Sequence, residues 1–203
     1  MTSTTSTRHI PTISDLDDLP EDVVGEIIDG ELIVHPRPDP PHVWAASELG
    51  ALLIPPFRRG IEGPGGWIIL DEPRIQFDPQ VLVPDLAGWR RERYQAPMKG
   101  PFEISPDWVC EILSPSTERD DRVRKLPIFA QSKVQYAWLV DPLLRTLEVL
   151  RLSGGSWVIA GAYQNADRVR AEPFDAIEID LSQIWGEGAG QDAEQGGGES
   201  TPR

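Results

Sequence analysis

The amino-acid sequence predicts an α/β fold, and the main evidence is a strand–helix–strand order between residues 106 and 142. Trp108–Leu113 and Tyr136–Val140 are short apolar runs beside prolines, which is typical of buried strands. Between them lies a segment with helical periodicity that extends to about Ser132. This order forms a βαβ-like unit.

Two β-hairpins are predicted, one on each side of this unit. Their strands are expected at Val23–Ile28, Glu31–His35, Thr146–Leu152 and Ser156–Ile159. Asp29-Gly30 is a strong two-residue turn signal for the first hairpin, and a Ser-Gly-Gly turn at 153–155 marks the second. The predicted fold is therefore α/β with N-terminal and C-terminal β-hairpins.

The remaining elements follow from shorter patterns. A helix is predicted from His42 to about Ile54, where Pro55-Pro56 should end it. Further strands are predicted at Trp67–Leu70, Arg74–Phe77, Val81–Val83 and Leu86–Trp89, with short ones at Val169 and 177–179. Prolines and a glycine predict a loop over Tyr94–Ser105.

Length and composition favour one domain, over residues 14–185, between two disordered ends. Residues 1–13 are rich in Ser and Thr, and residues 186–203 form a Gly-rich acidic tail with little to bury. The chain has no apolar run long enough for a bilayer and no signal-peptide segment, so we expect a cytoplasmic protein without a membrane partner. Its one cysteine excludes an internal disulfide and a multi-cysteine zinc site.

The charge distribution bears on a nucleic-acid partner. The formal net charge is -14, whereas phosphate binding normally needs a positive surface. Basic residues gather in two places, Arg90–Arg93 and Arg119–Lys125. Local basic patches on an acidic chain permit binding of a polyanion without favouring it.

Two acids in otherwise apolar strands are the candidate site residues. Asp85 follows Val81–Val83 and Pro84, and Glu111 interrupts Trp108–Leu113. A charged group in a buried strand is costly unless it is paired, hydrogen-bonded or bound to a metal. Two convergent carboxylates suit a hard divalent cation such as magnesium, and a lysine fourteen residues after Glu111, Lys125, could stabilise developing charge.

These motifs resemble the Uma2 family of restriction-endonuclease-like proteins, a branch of the PD-(D/E)XK nuclease superfamily. The resemblance rests on Pro84-Asp85, on Glu111-Ile-Leu-Ser-Pro-Ser-Thr, on Lys125 and on Tyr-Ala-Trp-Leu-Val-Asp-Pro at 136–142. Gly-Glu-Ile-Ile-Asp-Gly-Glu-Leu at 25–32 falls where that family has a similar segment, as does His42. The resemblance covers roughly residues 19–150.

The resemblance implies a restriction-endonuclease-like mixed central sheet flanked by helices, with DNA as the substrate and Mg2+ or Mn2+ as the cofactor. It also implies that Asp85 and Glu111 are metal ligands, that Lys125 is the catalytic lysine and that Glu26 is an auxiliary acid. A homodimer is expected, because two active sites related by a twofold axis can cut both strands of a duplex.

The chain departs from the expected pattern near its lysine. The residue two after Glu111 is Leu113, so the strand lysine of the superfamily is absent and the resemblance assigns its role to Lys125 on the helix. Phe129 stands where a tyrosine is usual, and Pro127 is expected to kink the helix.

The helix that carries the lysine is predicted from two further patterns. Val123, Leu126 and Ala130 are expected on its apolar face, with Lys125 beside them. Thr117 and Asp120 have capping-box spacing.

Simpler structural explanations exist for several of these residues. Asp85 could cap a turn after its proline, and Lys133 is a weaker substitute for Lys125. Glu31 is interpreted as a surface acid, and His42 as a local hydrogen-bonding residue rather than a metal ligand. Cys110 should be a small core residue on the opposite face of the strand from Glu111.

Three functions remain open on the sequence. The first is a metal-dependent endonuclease that hydrolyses DNA phosphodiesters. The second is a non-catalytic regulatory or assembly module with the same fold, which the net charge and the proline in the lysine helix favour. The third is a metal-dependent hydrolase of a smaller phosphoester, which suits an acidic surface. Arg90–Arg93 could contact backbone phosphates or form a solvated loop.

Overall fold

The computed structural model describes residues 9–186. The predicted disordered segments, 1–13 and 186–203, fall outside these residues except for 9–13 and 186. The strands are β1 (Val23–Ile28), β2 (Glu31–Pro36), β3 (Trp67–Asp71), β4 (Ile75–Phe77), β5 (Gln80–Leu82), β6 (Leu86–Arg90), β7 (Trp108–Ile112), β8 (Tyr136–Asp141), β9 (Thr146–Ser153), β10 (Ser156–Gln164), β11 (Arg168–Val169) and β12 (Ile179–Asp180).

The helices are short except for one. The α-helices are α1 (Ile13–Asp17), α2 (Pro40–Leu53), α3 (Glu118–Asp120) and α4 (Leu126–Gln131). Ile54–Arg58 and Asp121–Lys125 are π-helical turns, and Leu181–Ile184 is a 3₁₀ helix. No helix in the described part of the chain is both long and apolar enough to span a membrane.

The centre of the molecule is a mixed six-stranded sheet with the strand order β10-β9-β8-β7-β6-β3. β7 and β8 are parallel, and every other neighbouring pair is antiparallel. The parallel pair needs a crossover, and the helical run 118–131 supplies it. The predicted mixed sheet with flanking helices is confirmed, and both predicted hairpins form, as β1–β2 and β9–β10.

A second sheet lies beside the first, with the order β2-β1-β5-β4 and antiparallel pairing throughout. β1 meets β5 at Ile27 and Val81. This contact brings the first hairpin against the segment that leads into β6. It therefore joins the N-terminal part of the chain to the central sheet near Asp85.

Alternating side chains of β7 supply two hydrophobic cores, one on each face of the central sheet. Trp108, Cys110 and Ile112 belong to the core beneath α2, together with Phe174 from the C-terminal segment. Val109 and Leu113 belong to the core beneath α4. Glu111 lies two residues from both Val109 and Leu113, and side chains two residues apart on a strand point to the same face. The Glu111 side chain therefore lies on the face that the helical run covers.

The helical run 118–131 differs from the sequence prediction in the face that it buries. Val123 was expected on the apolar face but is 64% exposed. The buried residues are Asp121, Lys125, Ile128 and Phe129. These four positions have the spacing of one face of an ordinary helix, so the sequence prediction chose the wrong face: the buried face carries the charged Asp121 and Lys125.

Prolines also change the ends of helices. Pro127 has no N–H to donate, and the preceding turn is π-helical, with the Leu126 N–H donating to the Asp121 carbonyl. Pro55-Pro56 was expected to end α2, yet the chain continues as a π turn to Arg58. At the other end, α2 begins at Pro40 rather than His42, because the Asp39 carboxylate accepts from the His42 N–H.

Two smaller predictions were wrong. Asp85 lies directly before β6 rather than inside a strand, since β5 ends at Leu82. The Thr117 side chain makes no capping hydrogen bond to the helix, because its hydroxyl is hydrogen-bonded to the Ser114 hydroxyl at 3.0 Å.

Candidate active site

All four candidate residues of the sequence line one cavity of about 390 Å³, and they are Glu26, Asp85, Glu111 and Lys125. The cavity lies where the two sheets and the helical run meet. His42 and Asp121 also line it. Residues far apart in the sequence are thus brought together; their chemical roles stay predictions.

The central sheet fixes the two carboxylates predicted to bind metal. Glu111 is in the middle of β7 and is 2% exposed. Asp85 precedes β6, and its Oδ2 accepts a hydrogen bond from the Ile112 N–H at 2.6 Å. Since β6 pairs with β7 through Leu86 and Cys110, this bond extends the ladder by one residue and holds Asp85 beside Glu111.

Glu26 reaches the cavity from the second sheet. Its side chain is 1% exposed, and Oε1 accepts a hydrogen bond from the Val83 N–H at 2.7 Å. The same oxygen lies 3.2 Å from Lys125 Nζ. Glu31, the alternative acid of this hairpin, instead pairs with Arg124 at 3.1 Å and does not line the cavity.

Lys125 enters the cavity from the π turn and is 5% exposed. Its Nζ lies 3.0 Å from Asp121 Oδ1, 3.2 Å from Glu26 Oε1 and 3.3 Å from Glu111 Oε2. Three carboxylates therefore surround one ammonium group. The proline in this helix does not turn the lysine away; the π turn buries Asp121 and Lys125 together.

The charges in this cluster shift the pKa values of its members. Burial by itself would lower the pKa of Lys125, but the carboxylates of Glu111, Glu26 and Asp121 raise it well above 10.5, so the ammonium form persists. Burial raises the pKa of Glu111, an effect that Lys125 opposes. Nearby carboxylates raise the Glu111 pKa further.

His42 contributes more to the cavity than the sequence suggested. It was interpreted as a local hydrogen-bonding residue, but its partner is distant in sequence: Nε2 lies 3.1 Å from Asp85 Oδ1. Burial lowers the pKa of His42, whereas the hydrogen bond and charge of Asp85 raise it, with a net increase. The histidine therefore orients the carboxylate of Asp85 from α2.

Asp121 was missed as a site residue in the sequence. It is 2% exposed and makes the shortest of the three contacts to Lys125. The sequence did contain a signal for Asp121: it lies four residues before Lys125, and residues at this spacing share a helix face. His35, also overlooked, lies 3.9 Å from Glu26 through its Nε2.

The chemistry of the donors fits magnesium or manganese. Glu111 Oε1 is buried and has no hydrogen-bond partner, so a carboxylate oxygen with unused acceptor capacity lies at the cavity. Residues 9–186 contain no group of three or more His, Cys, Asp or Glu side chains arranged to hold a metal ion. A two-carboxylate site suits Mg2+, which keeps several waters and binds through one or two carboxylates together with substrate phosphates.

The other residues considered in the sequence lie elsewhere. Leu113, where the superfamily has its lysine, is a buried core residue. Lys133 is exposed and does not line the cavity. Phe129 packs against Phe77 with ring centroids 5.5 Å apart. Cys110 is fully buried, which raises the pKa of its thiol and confirms its interpretation as a core residue.

Comparison with known proteins agrees with this architecture. Residues 13–182 match the family described as "Uma2: Putative restriction endonuclease". A solved structure described as a "putative nuclease belonging to DUF820", from Anabaena variabilis ATCC 29413, is similar with a TM-score of 0.69. The two chains are 23% identical over 86% of this chain and 97% of the other, a level that shows a shared fold. No curated protein matches the chain. The match over most of the chain shows that this protein belongs to the Uma2 family.

Proposed function

We propose that this protein is a divalent-metal-dependent endonuclease that hydrolyses DNA phosphodiester bonds with Mg2+ or Mn2+. The single observation that carries the proposal is one cavity lined by Asp85, Glu111 and Lys125, in which a buried oxygen of Glu111 lacks a hydrogen-bond partner. The descriptions of the family and of the DUF820 structure, both of which name nucleases, support the same class of reaction.

Asp85 and Glu111 would hold the metal ion. A bound divalent cation polarises a phosphodiester and lowers the pKa of a coordinated water. Asp85 is oriented for this role by the His42 imidazole and by the Ile112 N–H. Hydrogen bonds to a ligating carboxylate of this kind commonly fix its orientation.

Lys125 would stabilise negative charge on the phosphate. An ammonium group has three N–H donors, and here Nζ lies within 3.3 Å of three carboxylates. The Lys125 N–H that now faces Glu111 can turn to a phosphate oxygen, while Glu26 and Asp121 continue to hold the ammonium group. Such preorganised charge contributes to catalysis when it acts on charge that develops in the transition state.

Cleavage of plasmid DNA tests the proposal directly. The purified protein with MgCl2 or MnCl2 should nick or linearise a supercoiled plasmid. Glu111→Gln and Asp85→Asn should each abolish the activity, because an amide binds a divalent cation far more weakly than a carboxylate does. Glu178→Gln is the control, since Glu178 is an exposed acid paired with Arg168 outside the cavity. Cleavage that survives both cavity substitutions would exclude the proposed site.

Metal binding has a readout that does not depend on activity. Titration calorimetry with MnCl2 should show binding to the wild-type protein and to Glu178→Gln, and weaker or no binding to Glu111→Gln. The thermal midpoint should rise with the ion in the same proteins, because a ligand that binds only the folded state stabilises it. A wild-type protein that neither binds the ion nor cuts DNA would support the non-catalytic module instead.

A metal-dependent hydrolase of a smaller phosphoester is the second candidate. The net charge of -14 favours it, because a small substrate avoids the long-range repulsion that a duplex meets. Parallel assays with plasmid and with bis(p-nitrophenyl) phosphate separate the two activities. Hydrolysis of the small ester alone would replace the DNA proposal. Sedimentation of the active protein would test the predicted homodimer.

A further inference from the structure

Four adjacent arginines form a positive cluster on this acidic protein. The arginine cluster consists of Arg58, Arg59, Arg90 and Arg91, all of them exposed. Within residues 9–186, none of the four makes an ion pair with a carboxylate. Of the ten other described arginines, seven do make such pairs, namely Arg37, Arg74, Arg93, Arg122, Arg124, Arg151 and Arg168. The cluster is therefore a concentration of uncompensated positive charge.

The cluster is held in place by groups that leave its charge unneutralised. Arg91 Nη2 donates to the Arg58 carbonyl at 2.7 Å, which ties the end of β6 to the π turn after α2. The Arg90 guanidinium lies 4.1 Å from the centroid of the Trp67 ring. Carbonyl and ring contacts orient a guanidinium without balancing its charge, and an oriented guanidinium is well suited to phosphate.

A groove connects this cluster with the active-site cavity. A second cavity of about 630 Å³ runs along α2 and shares His42 and Asp85 with the first. Its lining includes Val43, Ser47, Ala51 and Ile54 from the helix, and Arg59 from the cluster. From His42 to Ile54 the helix rises roughly 18 Å, which corresponds to about five phosphates of one strand in a duplex.

Three acidic residues line the groove, and two of them are accounted for by an ion pair or by the active-site cavity. Glu72, at the junction of the two cavities, is paired with Arg37 at 3.1 Å. Asp71 is the remaining acid of the second cavity besides the shared Asp85. The helix contributes small side chains to the groove, so a sugar-phosphate backbone can approach α2 closely.

We infer that this groove and the arginine cluster form the track for the DNA backbone, so that a strand bound at Asp85 continues along α2 to Arg59 and its neighbours. The inference rests on the proposed nuclease function and adds the surface that holds the substrate. It explains how a chain with net charge -14 binds a polyanion: the uncompensated positive charge lies at the end of the groove that leads from the active site.

The salt dependence of DNA binding tests the track. Fluorescence anisotropy would follow a fluorescein-labelled duplex, and separately its single strand, with EDTA present so that no cleavage occurs. For Arg59→Ala/Arg91→Ala, the slope of log K against log salt should become shallower by about 1.8 on the duplex and about 1.4 on the single strand, because two phosphate contacts are lost.

Two further variants keep the test interpretable. Arg168→Ala/Arg170→Ala removes the same formal charge from β11 and the segment after it, and it should leave the slope unchanged. Arg59→Glu should weaken binding without loss of fold, because the Arg59 side chain makes no hydrogen bond or ion pair within residues 9–186. Circular dichroism and thermal midpoints would verify folding.

The outcomes separate this inference from the proposed function. If the slope does not change in Arg59→Ala/Arg91→Ala, or changes equally in the β11 variant, the track is wrong, even if the wild type still cuts plasmid. If the slope changes as expected but no metal ion supports cleavage, the binding track stands and the nuclease proposal fails. A wild-type protein that binds neither form of DNA would also overturn the track, whereas plasmid cleavage with Mg2+ or Mn2+ would still decide the nuclease proposal.

Discussion

Lys125 holds together the buried acids of the cavity. Three carboxylates lie within 3.3 Å of its ammonium group, and all four side chains are almost fully buried. Removing these charges from water is costly, and only their mutual attraction and hydrogen bonds offset that cost. The arrangement is therefore sensitive to the loss of its single cation.

Lys125→Met should lower the free energy of unfolding by about 3–5 kcal/mol at neutral pH, because it leaves buried acids without a cation. The folded-state pKa of Lys125 is raised, so its stabilisation is complete below pH 10.5 and is lost as the pH rises through the higher folded value. In the variant, the pKa of Glu111 should rise further, so the buried acid is tolerated best near or below pH 4.5. Urea denaturation across pH should therefore show the largest difference between the proteins at neutral pH.

Lys133→Met is the matched control, because Lys133 is exposed in the turn before β8. It should change the free energy of unfolding little at any pH. A difference between wild type and Lys125→Met that stays constant from pH 4.5 to above pH 10.5 would contradict the ion-pair explanation.

The sequence predicted some residues of the cavity better than others, for physical reasons. An acid inside an apolar strand stands out, so Glu111 could be identified from its neighbours alone. Asp121 lies in a charged stretch and His42 follows two prolines, so neither stands out in the sequence. Their importance depends on the partners that the fold provides, Lys125 for Asp121 and Asp85 for His42.

At the scale of single elements, a π turn forms at each place where prolines interrupt a helix. The turn at Ile54–Arg58 is fixed by the following loop, whose Ile61 and Gly65 N–H groups donate to the Pro55 and Pro56 carbonyls at 2.9 and 2.8 Å. These bonds satisfy carbonyl groups of the last helical turn, which have no N–H partner within the helix. The loop and the turn thus form one unit beneath the arginine cluster.

Gly63→Ala should destabilise the protein by about 1–3 kcal/mol, because overpacking a fixed backbone costs energy of that order. A Cβ at Gly63 would lie 2.4 Å from Pro56 Cβ and 2.9 Å from the Pro56 carbonyl oxygen. Gly50→Ala is the matched comparison, since a Cβ in this helix would meet only Ile54 Cδ1, at 3.9 Å. It should stabilise the protein by about 0.5–1 kcal/mol. Thermal denaturation that shifts both variants in the same direction would refute this account.

The strands were easier to predict than the lysine helix. Their apolar runs have clear ends at prolines and glycines, so most boundaries agree within one or two residues. The predicted face of the helical run 118–131 was wrong because it was chosen from apolar residues, whereas the buried face also carries the charged Asp121 and Lys125. A helical period gives the spacing of buried residues, but it cannot show that Asp121 and Lys125 are buried, because that depends on the partners that the fold supplies.

At the scale of the whole molecule, Phe174 links the C-terminal segment to the core beneath α2. Its ring lies 4.7 Å from Phe57, 5.0 Å from Trp67, 4.9 Å from Trp108 and 5.6 Å from Trp138, measured between centroids. These partners come from the π turn after α2 and from β3, β7 and β8. One side chain of the last described segment thus contacts elements along most of the chain.

Phe174→Ala should lower the free energy of unfolding by about 3–5 kcal/mol, because the substitution leaves a cavity among large aromatic rings. If residues 14–185 form one domain as predicted, the loss should appear as one cooperative transition. Tryptophan fluorescence and far-ultraviolet circular dichroism should then give the same urea midpoint. Phe174→Leu should cost less, and separate midpoints for the two signals would contradict the one-domain prediction.

The position of Lys125 has a consequence for how the protein is made. Buried acids are costly unless positive charge lies beside them, and this polypeptide supplies that charge on one of its own side chains. We therefore expect a newly synthesised copy to finish folding in a medium depleted of magnesium and manganese. The proposed nuclease activity would then depend on the binding of those ions to an already folded protein, so synthesis and activation would be separate events.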